Sequence, residues 1–304
     1  MKMKNEKSEF LHYPVRDLLH SLFTCDVSPL LYYLPLGRKQ VSELKFFAES
    51  RALCVPPACK ASIPLEGYDR VMCSYRCRTS PIEVMAETCR THSHIAMKTV
   101  RIFDLQVLLP LFRDPLMDLR IVHMVRDPRA VISSRKSFEL DVDDNIVLRK
   151  EMEEKNITPN LVHVMGKICK AQVAIHKFAR SANSSLRGRY MMIRHEELAW
   201  GPIQRAKKLY SFSGLNMTSE LESFVYNITH VNKQDTGTFM SFSRKSPEVV
   251  SRWRKRLNYS TVMEIQNVCQ EAMEVFGYIP VWSMRDLRDV SFNIVAEREA
   301  LEDE

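Results

Sequence analysis

The run Leu119-Arg-Ile-Val-His-Met-Val125 passes directly into Arg126-Asp-Pro-Arg-Ala-Val-Ile-Ser-Ser-Arg135. The first seven residues are short and largely apolar, as in a buried strand. Pro128 suits the first turn of a helix, where a missing N–H costs nothing. Ala130, Val131 and Ile132 give that helix an inward face. Two more apolar runs, His94-Ile-Ala-Met-Lys-Thr-Val100 and Tyr190-Met-Met-Ile193, have the same character. Helical segments follow the three runs in turn, over Leu105–Phe112, Arg129–Lys136 and Pro202–Phe212. This alternation predicts an α/β fold, a parallel sheet flanked by crossover helices.

The junction at residue 126 favours an anion. In open α/β sheets, ligands bind outside the carboxyl ends of the strands. A helix N-terminus there offers free N–H groups and the positive end of its dipole. Arg126 adds a fork of donors matched to phosphate, and Ser133 or Ser134 could reach the same anion. The competing possibility is a plain turn, with Arg126 and Asp127 paired on the surface.

Other helices are marked by their ends. Residues 14–24 carry helical spacing, and Pro81 opens a helix to Cys89. Pro202 and Gly214 bracket another. Thr261 and Glu264 form a capping box before a stripe of Ile265, Val268, Cys269, Ala272 and Phe276, which Gly277 ends. That stripe reads as core packing.

The chain has eight cysteines, five of them between residues 54 and 89, in a loop over residues 50–80 and the helix after it. Disulfides, zinc binding and unpaired core thiols are all open on spacing alone. Cys54-x4-Cys59 and Cys73-x3-Cys77 depart from the two-residue zinc knuckle, and no paired histidines follow. Five N-x-S/T sequons, at Asn156, Asn183, Asn216, Asn227 and Asn258, favour a secretory lumen beside such cysteines. Yet no apolar run approaches the ~20 residues of a membrane span, and no signal-peptide pattern is visible. The net charge of +7 suits anionic ligands but does not select one.

Val125-Arg-Asp-Pro-Arg-Ala-Val-Ile-Ser-Ser-Arg135 resembles the 3′-phosphate motif of Golgi carbohydrate sulfotransferases, which use 3′-phosphoadenosine 5′-phosphosulfate (PAPS). The resemblance extends through Ser50–Cys59, Ala86–Arg90, Ile95–Arg101, Gly188–Leu198, Gly201–Gly214, Ser246–Arg254 and the last helix to Tyr278. The subgroup it is most similar to transfers sulfate to the 6-hydroxyl of galactose, N-acetylgalactosamine or N-acetylglucosamine. The resemblance implies a P-loop-like sulfotransferase fold over residues 1–290, with a tail over 291–304. It implies that Arg126 and Ser134 hold the 3′-phosphate of PAPS, with no metal. Lys98, at the end of its predicted strand, and the nearby Arg101 are candidate donors to the sulfuryl end. His195 stands where the family has a tyrosine and is a candidate adenine contact. Glu196 reads as a cap or charge partner. The basic cluster from Ser243 to Arg256 reads as a nucleotide or glycan cover, or as a solvated helix, with Trp253 a packing anchor.

The implied partners are a keratan, chondroitin or N-/O-linked glycan acceptor and a possible second copy of the chain, with no nucleic acid. The implied location is the Golgi lumen. The family's second phosphate loop, of the form Arg-Ser/Thr-Gly-Ser/Thr-Ser-Phe, has no counterpart among the eight glycines here. The resemblance therefore implies an N-terminal 5′-phosphosulfate unit and membrane anchor outside this sequence. A non-catalytic relative that only binds nucleotide or glycan is the alternative. A cytosolic nucleotide-binding or kinase-like protein is a third, disfavoured by the cysteines and sequons.

Overall fold

The computed structural model describes residues 9–44, 50–60, 70–78, 80–100, 102–137, 160–181, 185–230 and 246–297. Arg101, Asn156, Asn183 and positions 243–245 of the basic cluster lie outside the described residues. The chain forms two compact units, residues 1–102 with 113–117, and residues 103–112 with 118–304.

The first unit contains α1 (Glu9–Phe23), α2 (Arg70–Arg76) and α3 (Glu83–Arg90). Short 3-10 turns at Ser28–Tyr33, Val41–Glu43 and Arg51–Cys54 fill the spaces between them. The expected loop over 50–80 thus contains α2. Three disulfides cross-link the unit: Cys25–Cys89, Cys54–Cys73 and Cys59–Cys77. With Cys169–Cys269 in the second unit, all eight cysteines are paired, which removes the zinc and free-thiol alternatives. The first unit's core is small, built on Leu30, Val41, Leu53 and Ile82 around four of those cysteines.

The strand expected over His94–Val100 does not form. That segment is irregular and mostly exposed, and among the described residues it pairs with no strand. Its apolar residues are few and interrupted by His94, Lys98 and Thr99, so neither face can be buried continuously.

The second unit carries the sheet. After a 3-10 turn (Leu105–Leu108) and α4 (Leu109–Phe112) comes β1 (Ile121–Val125), then α5 (Pro128–Ser137) and α6 (Leu161–Ala179). The chain returns in β2 (Tyr190–Arg194), which pairs parallel with β1, Ile121 opposite Tyr190 and Val125 opposite Arg194. Next come α7 (His195–Trp200), α8 (Pro202–Phe212), α9 (Ser219–Thr229), α10 (Ser246–Ser251) and α11 (Trp253–Arg256). The last helices are α12 (Tyr259–Val268), α13 (Gln270–Phe276) and α14 (Met284–Arg288).

Helices α6, α12 and α13 pack together, α6 and α12 also pack against α5, and Cys169–Cys269 ties α6 to the α12–α13 junction. The expected single helix from Thr261 is two helices broken at Cys269. The Thr261–Glu264 box is not its start: the Asn258 side chain accepts the Thr261 N–H at 2.8 Å, so the helix opens two residues earlier. Of the predicted stripe, Ile265, Cys269, Ala272 and Phe276 are buried and Val268 is half-buried against the same core. Gly277 ends α13 at φ +71°, in the left-handed region. Ile294 and Val295, beyond the boundary expected at residue 290, are buried in this core, and Val295 bridges to Tyr278.

Beneath the sheet, Tyr190 Oη sits 2.7 Å from His123 Nδ1 and 3.1 Å from His176 Nδ1. One hydroxyl proton serves only one of these nitrogens, so the other histidine carries its proton on Nδ1 and donates to the same oxygen. Burial, with a smaller contribution from His176, pushes His123 down to about 4. The unfolded chain then binds the extra proton below about pH 6.5, the reference histidine value. Stability is therefore expected to be fully retained above that pH and to fall as pH drops from 6.5 toward 4. Urea midpoints measured across this window should fall less steeply for His123→Phe than for the parent chain. An unchanged slope would remove His123 as a source of the dependence.

Candidate functional site: the carboxyl ends of the two parallel strands

Because Val125 faces Arg194, the next residues, Arg126 and His195, leave the sheet side by side. Arg126 stands between β1 and the N-terminus of α5, as its position after the apolar run predicts. The charge of Arg126 reaches His195. Burial first, then this cation, lowers His195 to about 4. His195 Nδ1 is buried and makes no hydrogen bond within the protein. A neutral imidazole beside an arginine can stack on a base or take a hydrogen bond. It is poorly matched to general-base work near neutral pH.

The turn that presents Arg126 is held by a buried network. Asp127 and Arg129 are both fully buried. Arg129 Nε and Nη2 donate to the Asp127 carboxylate at 2.9 and 2.8 Å, and the Arg129 backbone N–H adds a third bond at 2.9 Å. Arg129 Nη1 donates to Gln266 Oε1 and to the Ile279 carbonyl, and the guanidinium lies 4.4 Å over the Trp253 ring. The surface pairing of Arg126 with Asp127 is thus overturned: Asp127 points inward, to Arg129. Desolvation explains the choice, because a fully buried Arg129 requires a bidentate anionic partner.

The second strand end joins the same network. Glu196 is fully buried; its Oε1 accepts the Asp127 N–H at 3.1 Å and its Oε2 accepts the Tyr278 hydroxyl at 3.0 Å. Glu196 thus caps the backbone N–H that precedes α5, and among the described residues it pairs with no basic side chain. Burial and the neighbouring Asp127 raise its affinity for a proton. Arg194 is buried against Glu197, with Nε donating at 2.8 Å.

Ser134 lies on α5 at intermediate burial, while its neighbour Ser133 is buried. Lys98 is exposed in irregular chain of the first unit, so its place at a strand end does not hold. Arg254, inside the basic cluster, is neither solvated nor available to a ligand. It is buried and donates to the carbonyls of Leu287, Phe292 and Asp286. Trp253 is the packing anchor expected of it. Among the described residues no group of acidic, histidine or cysteine side chains could hold a metal. A concavity beside Cys169–Cys269, lined by Lys170, Asn267 and Glu271, contains none of the strand-end residues.

Arg129, Gln266 and Tyr278 carry no pattern that marks them as supports of this turn, and Asp127 and Glu196 read only as local charge partners or a cap. Their roles depend on contacts across as many as 150 residues of chain. The nearest local signal was an aspartate and an arginine two apart beside a proline.

A strand-end arginine at a helix N-terminus, beside a neutral histidine, is the arrangement that an anion site in an α/β nucleotide-binding protein requires. Residues 13–277 match the model of the sulfotransferase domain. The chain is 38% identical to human carbohydrate sulfotransferase 5 over 95% of its own length and 71% of the relative's. It is 38% identical to human carbohydrate sulfotransferase 6, over 95% and 74%. To mouse carbohydrate sulfotransferase 4 it is 35% identical, over 96% and 76%. No solved structure matches it. The chain belongs to the carbohydrate sulfotransferases, enzymes that transfer a sulfuryl group to sugars, and its domain implies PAPS as donor.

Proposed function

We propose that this chain transfers the sulfuryl group of PAPS to the 6-hydroxyl of galactose, N-acetylgalactosamine or N-acetylglucosamine in keratan-, chondroitin- or N-/O-linked glycans. The observation that carries the donor half is the placement of Arg126 and His195 at adjacent strand ends, with Arg126 held by the Asp127–Arg129 network. Arg126 binds the 3′-phosphate, assisted by the α5 N-terminus and by the Ser134 hydroxyl. His195 contacts the adenine. The Golgi lumen is the compartment that fits four disulfides and exposed sequons at Asn216, Asn227 and Asn258.

In the reaction, the acceptor hydroxyl oxygen forms a bond to sulfur. The bond from sulfur to the bridging phosphate oxygen breaks, and its electron pair leaves on the 5′-phosphate. The hydroxyl proton passes to a base. Charge spreads over the transferring oxygens and the leaving phosphate, so cationic donors lower the barrier. Arg126 and Ser134 supply the anchoring end of the donor.

Labelled PAPS with keratan and chondroitin acceptors tests the activity. Sulfate at carbon 6 of the product sugar is the expected result, and nucleotide binding without transfer would favour a non-catalytic relative. Arg126→Ala is expected to weaken binding of adenosine 3′,5′-bisphosphate by about 1.5–3 kcal/mol, the cost of a charge-assisted phosphate contact. Equal affinities by calorimetry in a folded variant would remove Arg126 from the site.

A further inference from the structure

Glu196 follows His195 directly, and Asp127 follows Arg126 directly. The 3.1 Å bond from the Asp127 N–H to Glu196 Oε1 therefore ties together the two strand ends that carry the donor-site residues. The other carboxylate oxygen is taken by Tyr278. Both oxygens are engaged and the residue is fully buried, so Glu196 cannot meet an acceptor hydroxyl. A buried carboxylate retained at such a point needs another reason than acid–base chemistry.

Tyr278 reaches Glu196 because of how α13 ends. Gly277 turns the chain into the left-handed region, and the Tyr278 N–H bonds the Met273 carbonyl at 2.7 Å. A Cβ at residue 277 would stand 3.0 Å from Arg194 Nη1, which itself donates to the carbonyls of Phe276 and Ala296. The helix end, β2 and the tyrosine are thus fixed to one another. Burial raises the Tyr278 hydroxyl well above its usual range, so it remains a proton donor.

We propose that Glu196 and Tyr278 are positioning residues for the donor's 3′-phosphate: the carboxylate latches the Arg126 turn to the end of β2, and the tyrosine hydroxyl holds the carboxylate in place. This rests on the assignment of Arg126 to that phosphate. Neither residue touches the ligand; each acts through the backbone of Asp127. Removing the latch leaves Arg126 present but free to shift, and small displacements of a binding group are costly.

The test is the ratio of affinities for adenosine 3′,5′-bisphosphate and adenosine 5′-monophosphate, measured by calorimetry on the full chain. The two ligands differ only in the 3′-phosphate. Tyr278→Phe is expected to lower the ratio about tenfold by weakening the bisphosphate alone. Glu196→Gln keeps a carbonyl oxygen for the Asp127 N–H and should keep the ratio within about threefold as the conservative rescue, while Glu196→Leu removes both bonds, should lower the ratio as Tyr278→Phe does, and replaces that variant should it fold poorly. A general loss of structure would weaken both ligands together and would overturn the positioning role. So would a folded Tyr278→Phe with the parental ratio, in a chain where Arg126→Ala loses it. An Arg126→Ala variant that keeps the ratio would instead overturn the phosphate assignment, and the latch with it.

Discussion

Asp127→Ala is expected to destabilise the second unit by about 3–5 kcal/mol, a large part of a domain's ordinary stability. The cause is what remains behind. Arg129 is fully buried, and without Asp127 its Nε and Nη2 lose their anionic partner. Gln266 and the Ile279 carbonyl still accept from Nη1, but neither is charged. The Arg129 N–H would also lose its acceptor at the first turn of α5. All three tryptophans, at 200, 253 and 282, lie in the second unit, so their emission follows its urea unfolding without interference from the first. The double replacement Asp127→Leu with Arg129→Met removes both charges and should cost less than Asp127→Ala alone, because the stranded charge is gone. A double variant as unstable as the single one would show that shape, rather than charge burial, governs this turn.

The same turn shows what a sequence can and cannot display. The strand, the turn and α5 were legible because each is marked locally, by an apolar run, a proline and a short inward face. The helix at Pro202–Phe212 was legible for the same reason, with Pro202 at its start and Gly214 just past its end. His94–Val100 misled because an apolar run states only a tendency, while a strand needs a partner across a ladder. The helix start at Asn258 was missed because two capping signals overlap there, and only geometry shows which side chain accepts the free N–H. Charges misled most. Arg126, Arg129 and Arg254 look alike in a basic sequence, yet the first is only half-buried and the other two hold the core together. That difference is made by Gln266 and the carbonyls of Ile279, Leu287 and Phe292, all distant in sequence. The strand–turn–helix was therefore readable in the sequence, and the contacts that brace it were not.

Reduction of the disulfides is expected to unfold the first unit while the second keeps its tryptophan emission. Among the described residues, the first unit's buried cluster holds eleven side chains, four of them cysteines, and its helices are short beyond α1. Cys54–Cys73 and Cys59–Cys77 close loops of 19 and 18 residues, and Cys25–Cys89 closes one of 64. Each such bridge contributes about 3–4 kcal/mol through the entropy it removes from the unfolded chain, and the overlapping pair somewhat less than twice that. Losing all three removes stability comparable to the whole of a small domain's. In the second unit, Cys169–Cys269 is a single bridge beside a far larger apolar core, so its loss should lower the midpoint without abolishing the fold. Limited proteolysis under dithiothreitol should therefore cut first within residues 1–102, and a chelator without thiol should change nothing. Equal protease resistance of that segment before and after reduction would mean that the apolar cluster around Leu30 and Val41 holds the unit by itself.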